Sequence, residues 1–102
     1  MSSQAFSAVT RRIKADDGGD TVYAILTDFE PHAGQIVLTC WDECWSCWFN
    51  AMGDRTISEF ITDCGADYLE NKLSGHKSNA RQRKALSRAI GLIKDALSED
   101  KA

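Results

Sequence analysis

Residues 40–49 read CWDECWSCWF, three cysteines and three tryptophans in ten positions. The stretch lies where a strand-like pattern gives way to a helix-like one, so its conformation decides how the fold is built. Its composition suits a metal knuckle, a thiol redox site or part of a hydrophobic core. The flanking sequence has to choose among them.

Upstream, AVTRRIKA (8–15), TVYAILTDF (21–29) and QIVLTCW (35–41) are rich in β-branched, aromatic or β-tolerant residues and read as strands. The connections are short. DDGGD (16–20) offers glycines that can take the positive φ of a hairpin turn. EPHAG (30–34) is a second turn and holds the only proline, Pro31. Three strands joined this way predict an antiparallel meander.

Downstream the period changes. Ile57, Phe60, Ile61 and Cys64 fall at i, i+3, i+4 and i+7, one face of a helix. Thr56 and Glu59 have capping-box spacing, and Gly65 is placed to stop the helix. Asp67 is set to cap a short helix over DYLENKLS (67–74), with Tyr68, Leu69 and Leu73 as its buried side. A last helix is expected from about Asn79 to Leu97, with Leu86, Ile90, Ile93 and Leu97 as its apolar stripe. At about 100° per residue, Arg81, Lys84 and Arg88 fall on the opposite side. Strands first and helices second predict an α+β fold. Its expected form is a three-stranded antiparallel sheet from the N-terminal half, packed by helices of the C-terminal half, in a single domain over residues 1–102.

Cys40, Cys44, Cys47 and Cys64 are spaced C-x3-C-x2-C-x16-C. Zinc usually takes two short Cys/His pairs set apart in sequence. Here three ligands crowd together and one stands alone, with His32 and His76 as substitutes. Were residues 40–52 helical, Cys40, Cys44 and Cys47 would share a face, and Trp41, Trp45 and Trp48 would form the neighbouring stripe. A reduced cysteine packs as a small hydrophobe, so core packing without a cofactor is the preferred reading. A zinc-stabilised module on the four cysteines is the alternative. Thiol catalysis needs a base beside the sulfur, and neither histidine is placed there by the sequence. Base stacking by the tryptophans is opposed by Asp42 and Glu43, which repel phosphate.

The chain has 102 residues, 43% hydrophobic and 26% charged, ordinary for a soluble globular domain. No apolar run approaches the roughly 18 residues of a membrane span. MSSQAFSAVTRR lacks the long apolar core of a secretory leader, so a cytosolic chain with reduced thiols is expected. The net charge of −3 conceals a separation. Residues 16–70 carry twelve acids and one base, Arg55, a formal −11; residues 71–94 carry seven bases and no acid. Either each segment presents a single-sign surface that steers a partner, or the two pack together and neutralise one another.

CWDECWSCWFNAMGDRTISEFITDCGADYLENKL (40–73) resembles a family of small proteins of tailed phages and prophages. The likeness rests on Trp41, Trp45, Trp48 and Phe49, then Met52-Gly53, then Ile57 and Phe60, then Tyr68-Leu69 and Lys72-Leu73. It covers roughly residues 35–73 and leaves out the basic C-terminal helix. It implies a phage or prophage origin and action in the bacterial cytosol, and carries no catalytic residue.

No P-loop, dinucleotide turn, H-E-x-x-H or G-x-S-x-G occurs, so a non-enzymatic role is expected. The first expectation is an accessory protein that binds and modulates a host protein machine, with anti-CRISPR-like inhibition as one form. Its acidic face would be Asp16, Asp17, Asp20, Asp28, Glu30, Asp42 and Glu43. The second is a nucleic-acid binder using Arg81, Lys84 and Arg88, flanked by Lys77 and Arg83.

Overall fold

The computed structural model describes residues 8–30, 32–41, 43–74 and 79–100. Strands β1 (Val9–Ala15), β2 (Val22–Glu30), β3 (Ala33–Cys40) and β4 (Glu43–Phe49) precede helices α1 (Ile57–Asp63), α2 (Ala66–Ser74) and α3 (Ala80–Asp100). The strands form one sheet in the order β1-β2-β3-β4, every neighbour antiparallel. The expected class is present, with four strands where three were expected.

The added strand is the cysteine–tryptophan stretch itself. Cys40 pairs with Glu43, Leu38 with Trp45 and Ile36 with Cys47, so the chain reverses tightly after β3. Trp45 and Phe49 point inward and are buried, while Cys44, Ser46 and Trp48 are exposed. That is the two-residue alternation of a pleat. The helical spacing of the cysteines and tryptophans is therefore not a helical face. Aromatic residues favour the pleated surface, and pairing with β3 overrides the 3.6-residue coincidence.

All three helices pack on one face of the sheet. Val22, Ala24, Leu26, Ile36, Leu38, Trp45 and Phe49 meet Met52, Ile57, Phe60, Ile61, Leu69, Leu73 and the α3 stripe of Leu86, Ala89, Ile90, Ile93 and Leu97 in one buried cluster. Each large side chain removed from water here stabilises by roughly 1.5–3 kcal/mol. Gly34 lets the helical layer close. A Cβ there would lie 3.0 Å from the Ile57 Cβ and 3.0 Å from the Thr27 carbonyl oxygen. Tyr68, expected to be buried, is 43% exposed. Its ring lies 6.5 Å from that of Phe49, with the Lys72 ammonium 5.6 Å from its centroid.

The helix ends explain their own positions. Thr56 and Glu59 form the expected capping box: the Glu59 amide donates to Thr56 Oγ1 at 3.2 Å and the Thr56 amide to Glu59 Oε1 at 3.0 Å. Asp28, from β2, accepts from the Ile57 amide at 2.7 Å and satisfies a further N-terminal donor. The other end of α1 falls where expected, just before Gly65, but without a left-handed glycine. Cys64, with φ −75° and ψ 145°, is its C-cap. Gly65 instead starts α2, its carbonyl accepting from the Leu69 amide at 3.2 Å. Asp67 consequently sits in the first turn of α2 rather than capping it. At α3, Asn79 and Gln82 make a second reciprocal cap, with bonds of 2.9 and 3.1 Å.

Candidate functional site

An antiparallel meander places alternate turns at opposite ends of the sheet. The β1–β2 turn and the β3–β4 turn therefore lie together, and α3 begins beside them. The proposed acidic residues divide accordingly. Asp16, Asp17 and Asp20 occupy the β1–β2 turn and Glu43 opens β4, while Asp28 and Glu30 lie at the other end of β2. Asp28 is half-buried and holds the α1 amide. Asp42, Lys77 and His76 lie outside the described residues. The six described acids thus fall at two ends of the sheet and do not form one continuous face.

Between the paired turns and the start of α3 lies a cleft of about 490 Å³, lined by Asp20, Cys40, Trp41, Glu43, Arg81 and Gln82 among others. Acidic and basic candidates far apart in sequence converge here. The charges beside it are partly spent. Arg88 Nη2 donates to Asp17 Oδ1 at 2.5 Å and to the Asp20 carbonyl at 2.8 Å. The Asp17 carboxyl lies below the ordinary aspartate range, first because of the Arg88 hydrogen bond and then because the Gly19 amide donates to it. Arg83 pairs with Glu70 at 3.6 Å and donates to Asn71 Oδ1 at 3.2 Å. Of the expected basic face of α3, Arg81 and Lys84 project into solvent, whereas Arg83 and Arg88 hold the acidic segment.

Trp41 stands at the rim of the cleft. It is 82% exposed and has φ 54°, the left-handed region, which costs a non-glycine residue roughly 1–2 kcal/mol. A large apolar ring is thus held in water on a strained backbone. The expectation that all three tryptophans pack the domain holds for Trp45 alone, since Trp48 is 50% exposed. Sequence reading missed this because the left-handed residue is revealed only by the tight Cys40–Glu43 pairing.

The cysteines do not gather. Cys40, Cys47 and Cys64 are partly buried against the core, while Cys44 faces the opposite side of the sheet, since strand neighbours at i and i+3 alternate faces. Among the described residues no three His, Cys, Asp or Glu side chains could together hold a metal ion. Burial pushes the Cys47 and Cys64 thiols up, only partly offset by Lys72 at the first and by Lys94 and Arg55 at the second. A raised thiol pKa leaves less of the reactive thiolate at neutral pH.

The chain matches the model of the phage family phiTE_072 over residues 3–100. The protein belongs to that phage family. The match extends well beyond residues 35–73 and takes in the C-terminal helix. No curated protein and no solved structure matches the chain. No helix among the described residues is long and apolar enough to cross a membrane.

Proposed function

We propose that this is a non-enzymatic phage accessory protein that binds a host protein component in the bacterial cytoplasm and modulates it. The cleft between the sheet turns and α3 is the contact surface. The observation that carries this reading is Trp41: exposed, left-handed and on the rim of a cleft of mixed charge. Folding gains little from an indole in that state, and strain at an exposed position points to function. Tryptophan is also the side chain most often found anchoring protein interfaces. Asp20, Glu43 and Arg81 around it suit a polar protein rim better than a phosphate backbone, because two of the three repel phosphate. No cofactor is required. Inhibition of a host defence complex, in the manner of an anti-CRISPR protein, is one concrete form of this activity.

The test is capture from nuclease-treated host lysate with the tagged chain. A stoichiometric host protein should be retained by the wild type and lost from an Asp20→Lys/Glu43→Lys variant. Equal retention by both would remove the cleft from the interface.

A further inference from the structure

The face of the sheet turned away from the helices has a chemistry of its own. Strand alternation and the observed register place Arg12 and Lys14 of β1, Tyr23 and Ile25 of β2, Val37 of β3 and Trp48 of β4 on it. The other positions of this face in the four strands include Thr, Gln, Ser and Cys. None of the paired positions is acidic, in a chain with fifteen acids and a net charge of −3. Tyr23 and Trp48 are each 50% exposed and Ile25 is 40% exposed. The Trp48 ring is steadied by Phe29, their centroids 4.9 Å apart. Arg12 and Lys14 are exposed, and neither is ion-paired among the described residues. They line, with Tyr23 and Ile25, a shallow depression of about 500 Å³. No described helix covers any of this surface.

We propose that this open sheet face binds single-stranded nucleic acid, stacking bases on Tyr23 and Trp48 and placing phosphates against Arg12 and Lys14. Charge decides the occupant. Arg81 and Lys84 of α3 are also exposed, but among the described residues only this face combines unpaired cations, exposed rings and the absence of acids. Two strands and four residues separate Tyr23 from Trp48, about 17 Å at ordinary sheet spacings. A single strand of a few nucleotides spans that distance, and its exposed bases can use a flat aromatic surface. A duplex keeps its bases stacked inside and would use only the two cations. The proposal concerns a different surface from the Trp41 cleft and does not rest on it.

Fluorescence anisotropy with labelled oligo-dT and oligo-U of about 10 nucleotides, a length typical of such sites, tests this on the full chain. Binding is expected at low salt, with a log–log salt slope near about −1.4 for two phosphate contacts. Trp48→Ala should weaken it roughly 5- to 150-fold, the loss of one stacked base. Arg12→Gln/Lys14→Gln, at exposed positions that leave the core intact, should flatten the salt slope. Trp41→Gly should bind as the wild type does. Absence of binding at low salt, equal affinity for a duplex of the same length, or unchanged binding in both sheet variants would overturn the proposal. So would a dimer in sedimentation that Trp48→Ala dissociates, which would assign the face to a second copy of the chain.

Discussion

Arg88 on α3 closes on Asp17 in the β1–β2 turn, with Nη2 2.5 Å from Oδ1 and Nε 3.3 Å from Oδ2. This bidentate pair ties the last helix to the first hairpin, and it brings the basic and acidic segments together at the edge of the Trp41 cleft. The Asp17 carboxyl should therefore titrate below an ordinary aspartate, and NMR of its side chain reads this directly. A depressed folded pKa means that the pair's contribution is present above the unfolded pKa and is lost as pH falls through the folded one. The window is thus acidic. Because both groups reach solvent, salt should shrink the effect. Arg88→Gln should return the midpoint upward; an unchanged midpoint would show that the pair is not formed in solution.

Lys94 makes a second cross-helix tie. Its ammonium donates to the carbonyls of Ile61 at 3.1 Å, Thr62 at 3.0 Å and Cys64, satisfying the last turn of α1 from α3. Hydrogen bonds from a charged donor contribute more than neutral ones. Lys94→Met keeps much of the aliphatic stem, so it should cost about 1–3 kcal/mol by urea denaturation through the lost bonds. Lys84→Met, at an exposed position of the same helix, should stay within about 0.5 kcal/mol of wild type.

Gly34 predicts a steric cost. Gly34→Ala would push a methyl against the Thr27 carbonyl and the Ile57 Cβ, both on the packed interface between sheet and α1. Neither neighbour is a flexible chain end. The variant should lose about 1–3 kcal/mol, the usual range for overpacking, and chemical denaturation with an unchanged m-value would show it.

The thiols separate by position. Cys44 is exposed on the open face, whereas Cys47 and Cys64 are partly buried with raised pKa values. Alkylation followed by mass spectrometry at pH 8 should modify Cys44 first and Cys47 and Cys64 slowly. Treatment with a strong chelator should leave the thermal midpoint unchanged, against the unfolding that a structural zinc site would show.

Short-range features were legible in the sequence. The Thr56–Glu59 box spans four residues, and the α3 stripe from Leu86 to Leu97 repeats over several turns, so both survive folding unaltered. Gly18, in DDGGD, takes φ 95° as a hairpin glycine should. Failures came where two periods coincide. Cysteines at 40, 44 and 47 fit a helical face, yet Cys44 and Cys47 lie on opposite sides of a strand. The start of α2 shifted for the same local reason at Gly65, which suits a helix end or a helix start. The site was less legible still. Asp17 and Arg88 are 71 positions apart, and only the meander brings Asp20, Trp41 and Arg81 to one cleft. The open face escaped notice because a charge count beginning at Asp16 leaves out Arg12 and Lys14, which matter only once strand alternation is known.

Trp41 gives the most direct test of the binding account, because it separates stability from function. Glycine relieves the left-handed strain, so Trp41→Gly should fold as well as the wild type or up to about 1 kcal/mol better. In capture from nuclease-treated host lysate, the same variant should lose the stoichiometric protein that the wild type retains. A variant that is stable and still captures that protein in full would contradict the account.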